Sequence, residues 1–351
     1  MKKLLYTAFF LVSLWDYPAY AQTGRVIDVI SGNGIAEATV GASVSCQLDP
    51  PPLPPRTVFL GSAQTDSNGQ FNLTFGPVDP RCPLQFITYA VGKQGYIFDR
   101  GEGPTLFRGT DRPFISASAA NYSIESITSE MIVAGFGQDL ATSIEAASTT
   151  DLPTTLAGRS MVVADYRGNE KTAQLFYVSP SQINYLMPAG LAEGAYITKI
   201  IAGNQVVRAG FIYIAKVIPG VFTANANGDG VAAAVVVRTK PDGSQQYESM
   251  VSFDTAQNKY VATPIDLGSE TDQVVLVLFG TGWRNQSSLS AFSVKIKGID
   301  APVQFAGMQP MLPGLDQLNA LIPRSLIGSG EVDVEVKVDG RSANKVKMAI
   351  K

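Results

Sequence analysis

The sequence predicts an all-β chain folded as about three small β-sandwiches in tandem, and three observations carry that prediction. Apolar and polar residues alternate in short runs, most plainly at Glu331-Val332-Asp333-Val334-Glu335-Val336-Lys337-Val338, where every second residue is valine. Clusters of Gly, Pro, Asn and Asp separate those runs and long helical periodicity is nearly absent, the pattern of short strands joined by turns. An ordered set of motifs also occurs twice in the second part of the chain, the mark of a duplicated unit. Alternation alone does not separate a sandwich from a barrel.

The chain opens on a segment that reads as a secretory leader. Lys2 and Lys3 precede an apolar stretch at 4–15, and Ala19-Tyr20-Ala21 places small residues where a signal peptidase reads. Cleavage after Ala21 would leave Gln22 first; the stretch is too short to span a bilayer comfortably, and no cysteine follows it to carry a lipid. Removing Lys2, Lys3 and Asp16 from 27 basic and 30 acidic residues leaves 25 and 29. A mildly acidic, evenly mixed chain offers no electrostatic footprint for nucleic acid or anionic lipid. No later segment has a membrane-spanning length of apolar residues. The expected placement is therefore extracytoplasmic: periplasmic, cell-surface or secreted.

The first module begins at Gly24-Arg25-Val26-Ile27-Asp28, and 34–40 leads into a second strand. Thr65-Asp66-Ser67-Asn68-Gly69-Gln70-Phe71 reads as a hairpin turn into a third. Five prolines in 50–55 make that stretch a stiff surface excursion. Cys46 and Cys82 are the two cysteines of the chain. In an oxidising compartment they are expected to form one structural disulfide, which in the chain-entropy picture stabilises by about 3–4 kcal/mol.

The repeat follows. In the first copy Val133-Ala134-Gly135-Phe136-Gly137 precedes a strand at 160–164, Gln182-Ile183-Asn184-Tyr185-Leu186-Met187-Pro188 and a closing strand–Gly203–strand. In the second, Val277-Leu278-Phe279-Gly280-Thr281-Gly282 precedes a strand at 292–297, Gln317-Leu318-Asn319-Ala320-Leu321-Ile322-Pro323 and a closing strand–Gly340–strand. Gly135-x-Gly137 and Gly280-x-Gly282 are read as equivalent turns; neither completes a dinucleotide-binding fingerprint. Asp339-Gly340 marks the turn of a final hairpin.

Two resemblances extend this reading. Gly24-x-Val26, the 34–40 stretch, Thr65-Asp66-x-x-Gly69-x-Phe71 and Val91-x-Lys93-x-Gly95-Tyr96 make the region from 24 to about 98 resemble the carboxypeptidase regulatory-like domain, a transthyretin-like sandwich. That resemblance implies a non-catalytic module accompanying other exported domains; the proline-rich insertion and the cysteine pair depart from its short form. From about 116 to 350 the chain resembles the Solibacter-type uncharacterised C-terminal domain of bacterial exported proteins. The matching residues include Gly135-Phe136-Gly137-Gln138-Asp139-Leu140-Ala141, Leu175-Phe176-Tyr177-Val178-Ser179-Pro180-Ser181-Gln182-Ile183-Asn184, Pro219-Gly220-Val221-Phe222 and Gly314-Leu315-Asp316-Gln317-Leu318-Asn319. Each half is also similar to the immunoglobulin-like IPT/TIG module. The Solibacter-type family has no assigned activity, so the resemblance implies architecture rather than chemistry.

The chain contains no histidine, which removes Ser-His-Asp and Cys-His catalysis and His-based zinc sites. No nucleophile elbow or phosphate loop is present. Carboxylate-only chemistry stays open, because a glycoside hydrolase needs only two acids across one cleft. Two weak ligand candidates remain. Trp283, Arg284 and Asn285 follow Gly280-Thr281-Gly282, and an exposed Trp there could stack on a sugar or a partner, the alternative being a core Trp. Asn225-x-Asn227-x-Asp229-Gly230 resembles the first half of a calcium loop, but Val236 stands where the bidentate Glu belongs.

The expected organisation is a leader at 1–21, a carboxypeptidase regulatory-like sandwich at 22–112, and two immunoglobulin-like IPT sandwiches at 113–218 and 219–351. The expected function is non-catalytic, without a cofactor: binding of an extracellular or envelope glycan or protein. The alternatives are a structural spacer of an envelope complex and a cryptic carboxylate-dependent polysaccharide hydrolase or lyase.

Overall fold

The computed structural model describes residues 20–47, 54–76, 78–79, 81–82, 87–99 and 106–351. The leader up to residue 19 and most of the proline-rich stretch lie outside the described residues. The described residues form strands and short turns, with two single-turn helices at Leu289–Ala291 and Arg324–Leu326. The fold is all-β and built of packed sheets. Among the described residues no helix is long and apolar enough to cross a membrane. Two compact units divide at Asp111 and Arg112.

The first unit contains β1 (Tyr20–Asp28), β2 (Thr39–Cys46), β3 (Arg56–Gln64), β4 (Gln70–Phe75), β5 (Ile87–Gly92), β6 (Ile97–Phe98) and β7 (Leu106–Thr110). They make one sheet in the order β4-β1-β7-β6 and a second in the order β3-β2-β5. Period-2 patterning decides what faces inward: Val40, Ala42, Val44 and Cys46 of β2 are buried, as are Phe71, Leu73 and Phe75 of β4. Cys46 and Cys82 are disulfide-bonded and buried beside Val44. Asp66 Oδ1 accepts from the backbone N–H groups of Asn68 and Gln70, closing the turn read from sequence. That turn is not a hairpin, however. β3 pairs with β2 and β4 with β1, so the turn carries the chain from one sheet to the other. Gly69 is required in it, with φ of +74° and the Val26 carbonyl where a Cβ would stand.

The second unit holds both copies of the repeat. The first copy comprises β8 (Phe114–Ser118), β9 (Ile132–Gly137), β10 (Glu145–Ala146), β11 (Thr155–Leu156), β12 (Arg159–Asp165), β13 (Glu170–Val178), β14 (Gln182–Leu186), β15 (Gly194–Ala202) and β16 (Gln205–Ile214). Its strands run β16-β15-β12-β13-β14-β9-β8. β13 belongs to both layers, since its first half pairs with β12 and its second with β14. The core holds Phe114, Met131, Met161, Leu175, Ile183, Tyr185 and Ile200, all essentially buried.

The second copy comprises β17 (Gly220–Val221), β18 (Ala234–Thr239), β19 (Gln245–Ser249), β20 (Val251–Asp254), β21 (Lys259–Ala262), β22 (Gln273–Thr281), β23 (Phe292–Ile296), β24 (Ile299–Asp300), β25 (Val303–Met308), β26 (Asp316–Leu321), β27 (Gly330–Val338), β28 (Arg341–Ser342) and β29 (Val346–Ile350). One sheet runs β19-β18-β22-β26-β25; the other runs β24-β23-β27-β28, with β29 also on β27. β27 behaves as its alternation predicts: its four valines are buried, while Asp333 and Glu335 reach Lys345 and Glu331 reaches Lys347. Asp339 and Gly340, with φ of 47° and 78°, make the turn that closes the chain.

Register shows that the two copies are one design. Gln182 lies opposite Phe136 and Gln317 opposite Phe279. In both copies the Gln Nε2 donates to the Asn Oδ1 two residues on, at 2.8 Å in the first and 2.9 Å in the second. This register corrects the matching of the glycines. Gly137, not Gly135, is the counterpart of Gly280, because each follows the paired Phe. Asp139 and Gly282 then coincide, and both have positive φ. Leu140 coincides with Trp283, and both are fully buried.

Candidate functional site

Of the two readings of Trp283, exposed contact or core residue, its position settles the core one. The chain leaves β22 at Thr281 and turns through Gly282, whose φ is +88°, and the indole folds back into the core among Val217, Val221, Leu278 and Leu318. Gly280 makes this possible, because a Cβ at that position would collide with the ring. The side chain is wholly buried and its Nε1 has no acceptor. It has no face to offer a sugar.

Arg284 is turned inward as well. Its Nε donates to Asp316 Oδ1 at 2.7 Å and its Nη2 to the Leu315 carbonyl at 2.8 Å. The backbone N–H groups of Trp283 and Arg284 donate to Asp316 Oδ2 at 2.9 and 3.2 Å. Asp316 is fully buried. Burial raises its pKa, while the Arg284 charge and the two amides pull the other way. A buried acid with an arginine and two amides on its oxygens is built to hold a loop.

The third residue of the motif crosses to the first copy. Asn285 Nδ2 donates to the Ser129 carbonyl at 3.2 Å, and Arg284 Nη1 lies 3.8 Å from Glu130 Oε1. Thr281 Oγ1 accepts from Ile132 N–H at 3.0 Å and donates to the Gly314 carbonyl at 2.8 Å. Ile218 N–H donates to the Gly282 carbonyl at 2.9 Å. The expected ligand-contact loop is thus part of the joint between the two sandwiches.

The weak calcium candidate lies in the same joint. Asn225 accepts from Tyr260 N–H at 2.8 Å and donates to the Tyr260 carbonyl at 2.9 Å, so both ends of its amide are occupied. Asn227 Oδ1 accepts from Asp229 N–H and meets Thr223 Oγ1. The Ala226 carbonyl accepts from Tyr122 Oη at 2.9 Å. Gly228 lies so close to the first copy that a Cβ there would stand 2.8 Å from Asn121 Cα. The two asparagine side chains of the motif bond within the second copy, and the backbone at Ala226 and Gly228 faces the first copy. Among the described residues no three His, Cys, Asp or Glu side chains converge as a metal site.

One small recess, about 190 Å³, opens beside the joint and is lined in part by Ser129, Glu130, Glu193, Lys216 and Asn285. Its walls are mixed in charge and partly apolar, Leu191 and Ala215 standing beside the charged side chains. The roles of Asp316, Thr281 and Asn344 are not legible in the sequence, although Thr281 stands in the Gly280–Gly282 turn and Asp316 in the Gly314–Asn319 motif. Asn344 bonds both backbone groups of Val221 and the Gly228 carbonyl. A lone Asp ahead of an alternating strand was the available signal, and nothing local names its arginine. No family model and no curated protein matches the chain.

Proposed function

We propose that this chain is a non-catalytic exported protein that engages an envelope or extracellular macromolecule, glycan or protein, with its two C-terminal sandwiches acting as one rigid body. The observation that carries the reading is the joint. Each motif that could have bound a ligand instead places a group across the joint, Asn285 Nδ2 on the Ser129 carbonyl and the Ala226 carbonyl on Tyr122 Oη. A chain that joins two sandwiches with side-chain hydrogen bonds from Thr281 and Asn285 and with the close approach of Gly228 and Gly314 is organised to transmit position, as a spacer or presenting arm does. The buried disulfide of the first unit supports an oxidising compartment. The resemblance to Solibacter-type exported domains supports the same placement.

The test is incubation of the mature protein with isolated bacterial envelope fragments and with a panel of soluble polysaccharides. The proposal expects saturable association with the envelope fraction and no product release. Turnover of any polysaccharide, abolished by a single Asp or Glu substitution, would overturn it in favour of the hydrolase alternative.

A further inference from the structure

The two copies differ at one edge. In the first, β13 pairs with β14 across a bulge between Leu175 and Tyr177. In the second, β25 pairs with β26 across a bulge between Val303 and Phe305. Tyr177 lies opposite Asn184 and Phe305 opposite Asn319; these asparagines are equivalent, so the strands match residue for residue. The outer edge of β13 is covered. Glu145 and Ala146 of β10 lie opposite Val178 and Tyr177. Ala147 N–H donates to the Phe176 carbonyl, and Leu175 N–H to the Pro153 carbonyl.

The strand that does this lies within residues 138–158, between β9 and β12. The second copy has only residues 282–291 between β22 and β23, and that loop places no strand on β25. Its single-turn helix Leu289–Ala291 lies beside β25 without pairing with it, and the Gln286 amide turns to the Trp283 and Arg284 carbonyls of its own loop. The edge is left facing outward with Phe305, Met308, Met311 and Leu312 beside it, 42%, 57%, 75% and 49% exposed. Phe305 and Met308 fall on opposite faces of the strand and Met311 and Leu312 follow in the turn, so apolar side chains flank this edge on both faces.

We infer that β25 is the contact by which a second copy of this chain adds to the molecule, edge to edge and antiparallel. Residues 303–308, Val-Gln-Phe-Ala-Gly-Met, carry no charge, so identical edges meet without the like-charge repulsion that usually keeps exposed strands apart. A two-fold axis makes such pairing antiparallel and self-complementary, each residue meeting its partner twice. The bulge does not forbid it, because β10 pairs with β13 up to the bulged Phe176 in the first sandwich. Pairing would supply the missing strand and cover Phe305 and Met308 from both sides.

Sedimentation velocity of the mature protein over a wide concentration range tests this. The expected result is a reversible monomer–dimer equilibrium. Phe305→Lys and Met308→Lys, both at exposed positions, should each weaken it at least tenfold while melting temperature stays within a few degrees. Hydrogen exchange read at the Ala306 and Met308 amides should slow as concentration rises. A monomer at every concentration overturns the inference. So does a dimer insensitive to both substitutions, or a monomer whose β25 is instead protected by another protein's strand.

Discussion

Gly280 lies under the indole of Trp283, as Gly137 lies under the isobutyl group of Leu140. In each copy a glycine one residue beyond the paired Phe lets the chain fold a large apolar side chain back over its own strand. The two sites differ in what a methyl group would meet. At Gly280 it would strike the Trp283 ring and the Gly220 carbonyl, whereas at Gly137 its nearest neighbour is the movable Leu140 Cδ2 at 2.7 Å. Gly280→Ala should therefore cost more than Gly137→Ala, with overpacking of about 1–3 kcal/mol or more at Gly280. Urea denaturation of both variants checks the order; equal losses would contradict it.

Trp283 also gives the protein its own reporter. The sequence has two tryptophans, Trp15 and Trp283, so a chain cleaved after Ala21 retains Trp283 alone. Its emission should be blue-shifted and resistant to acrylamide in the folded state, moving red as the second sandwich unfolds. Trp283→Ala should destabilise by about 3–5 kcal/mol, as for a large buried aromatic. Trp283→Phe should lose less, since it also removes an indole N–H that has no acceptor.

Arg284 and Asp316 are both buried, and removing one partner strands the other. Asp316→Ala should cost about 3–5 kcal/mol. The paired change Arg284→Met with Asp316→Leu should recover much of that loss, because neither charge is then left alone. A double variant worse than the sum of the single ones would contradict the assignment.

Much of this was legible in the sequence, and the failures have physical causes. Alternation placed β27 and its buried valines because period 2 is a local property. The disulfide was legible because Cys46 has one possible partner. The Gln-x-Asn repeat marked equivalent strands, and the structure gives both the same register and the same hydrogen bond. The Asp66–Gly69 turn was legible from its own side-chain bonds; which strand β4 would pair with was not, since pairing with β1 is long-range. Trp283 beside Arg284 and Asn285 reads either as an exposed contact or as a core residue, and nothing local decides between them. What buries it is the missing side chain of Gly280 together with a carboxylate 32 residues from Arg284 in sequence.

Acid should loosen the joint region through Asp339. Hydrogen bonds from Ser287, then the charge of Lys216, hold its carboxyl below the usual carboxylate range. A depressed native pKa favours the folded state above the unfolded value, about 3.9. That contribution is lost as pH falls through the native value. Melting curves between pH 7 and pH 2 should show a shallower acid decline for Asp339→Asn than for wild type. An unchanged acid decline would remove Asp339 from the account.

The central claim is that the loop Thr281–Asn285 fixes the two sandwiches together. It is tested most directly by native-state hydrogen exchange of the Ile132 amide, whose acceptor is Thr281 Oγ1 across the joint. The account predicts slow exchange in the wild type and marked acceleration at Ile132 in Thr281→Val, with the Leu186 amide unchanged. Fast exchange at Ile132 in the wild type, or no response to Thr281→Val, would mean that the sandwiches move independently and that the motif serves something other than the joint.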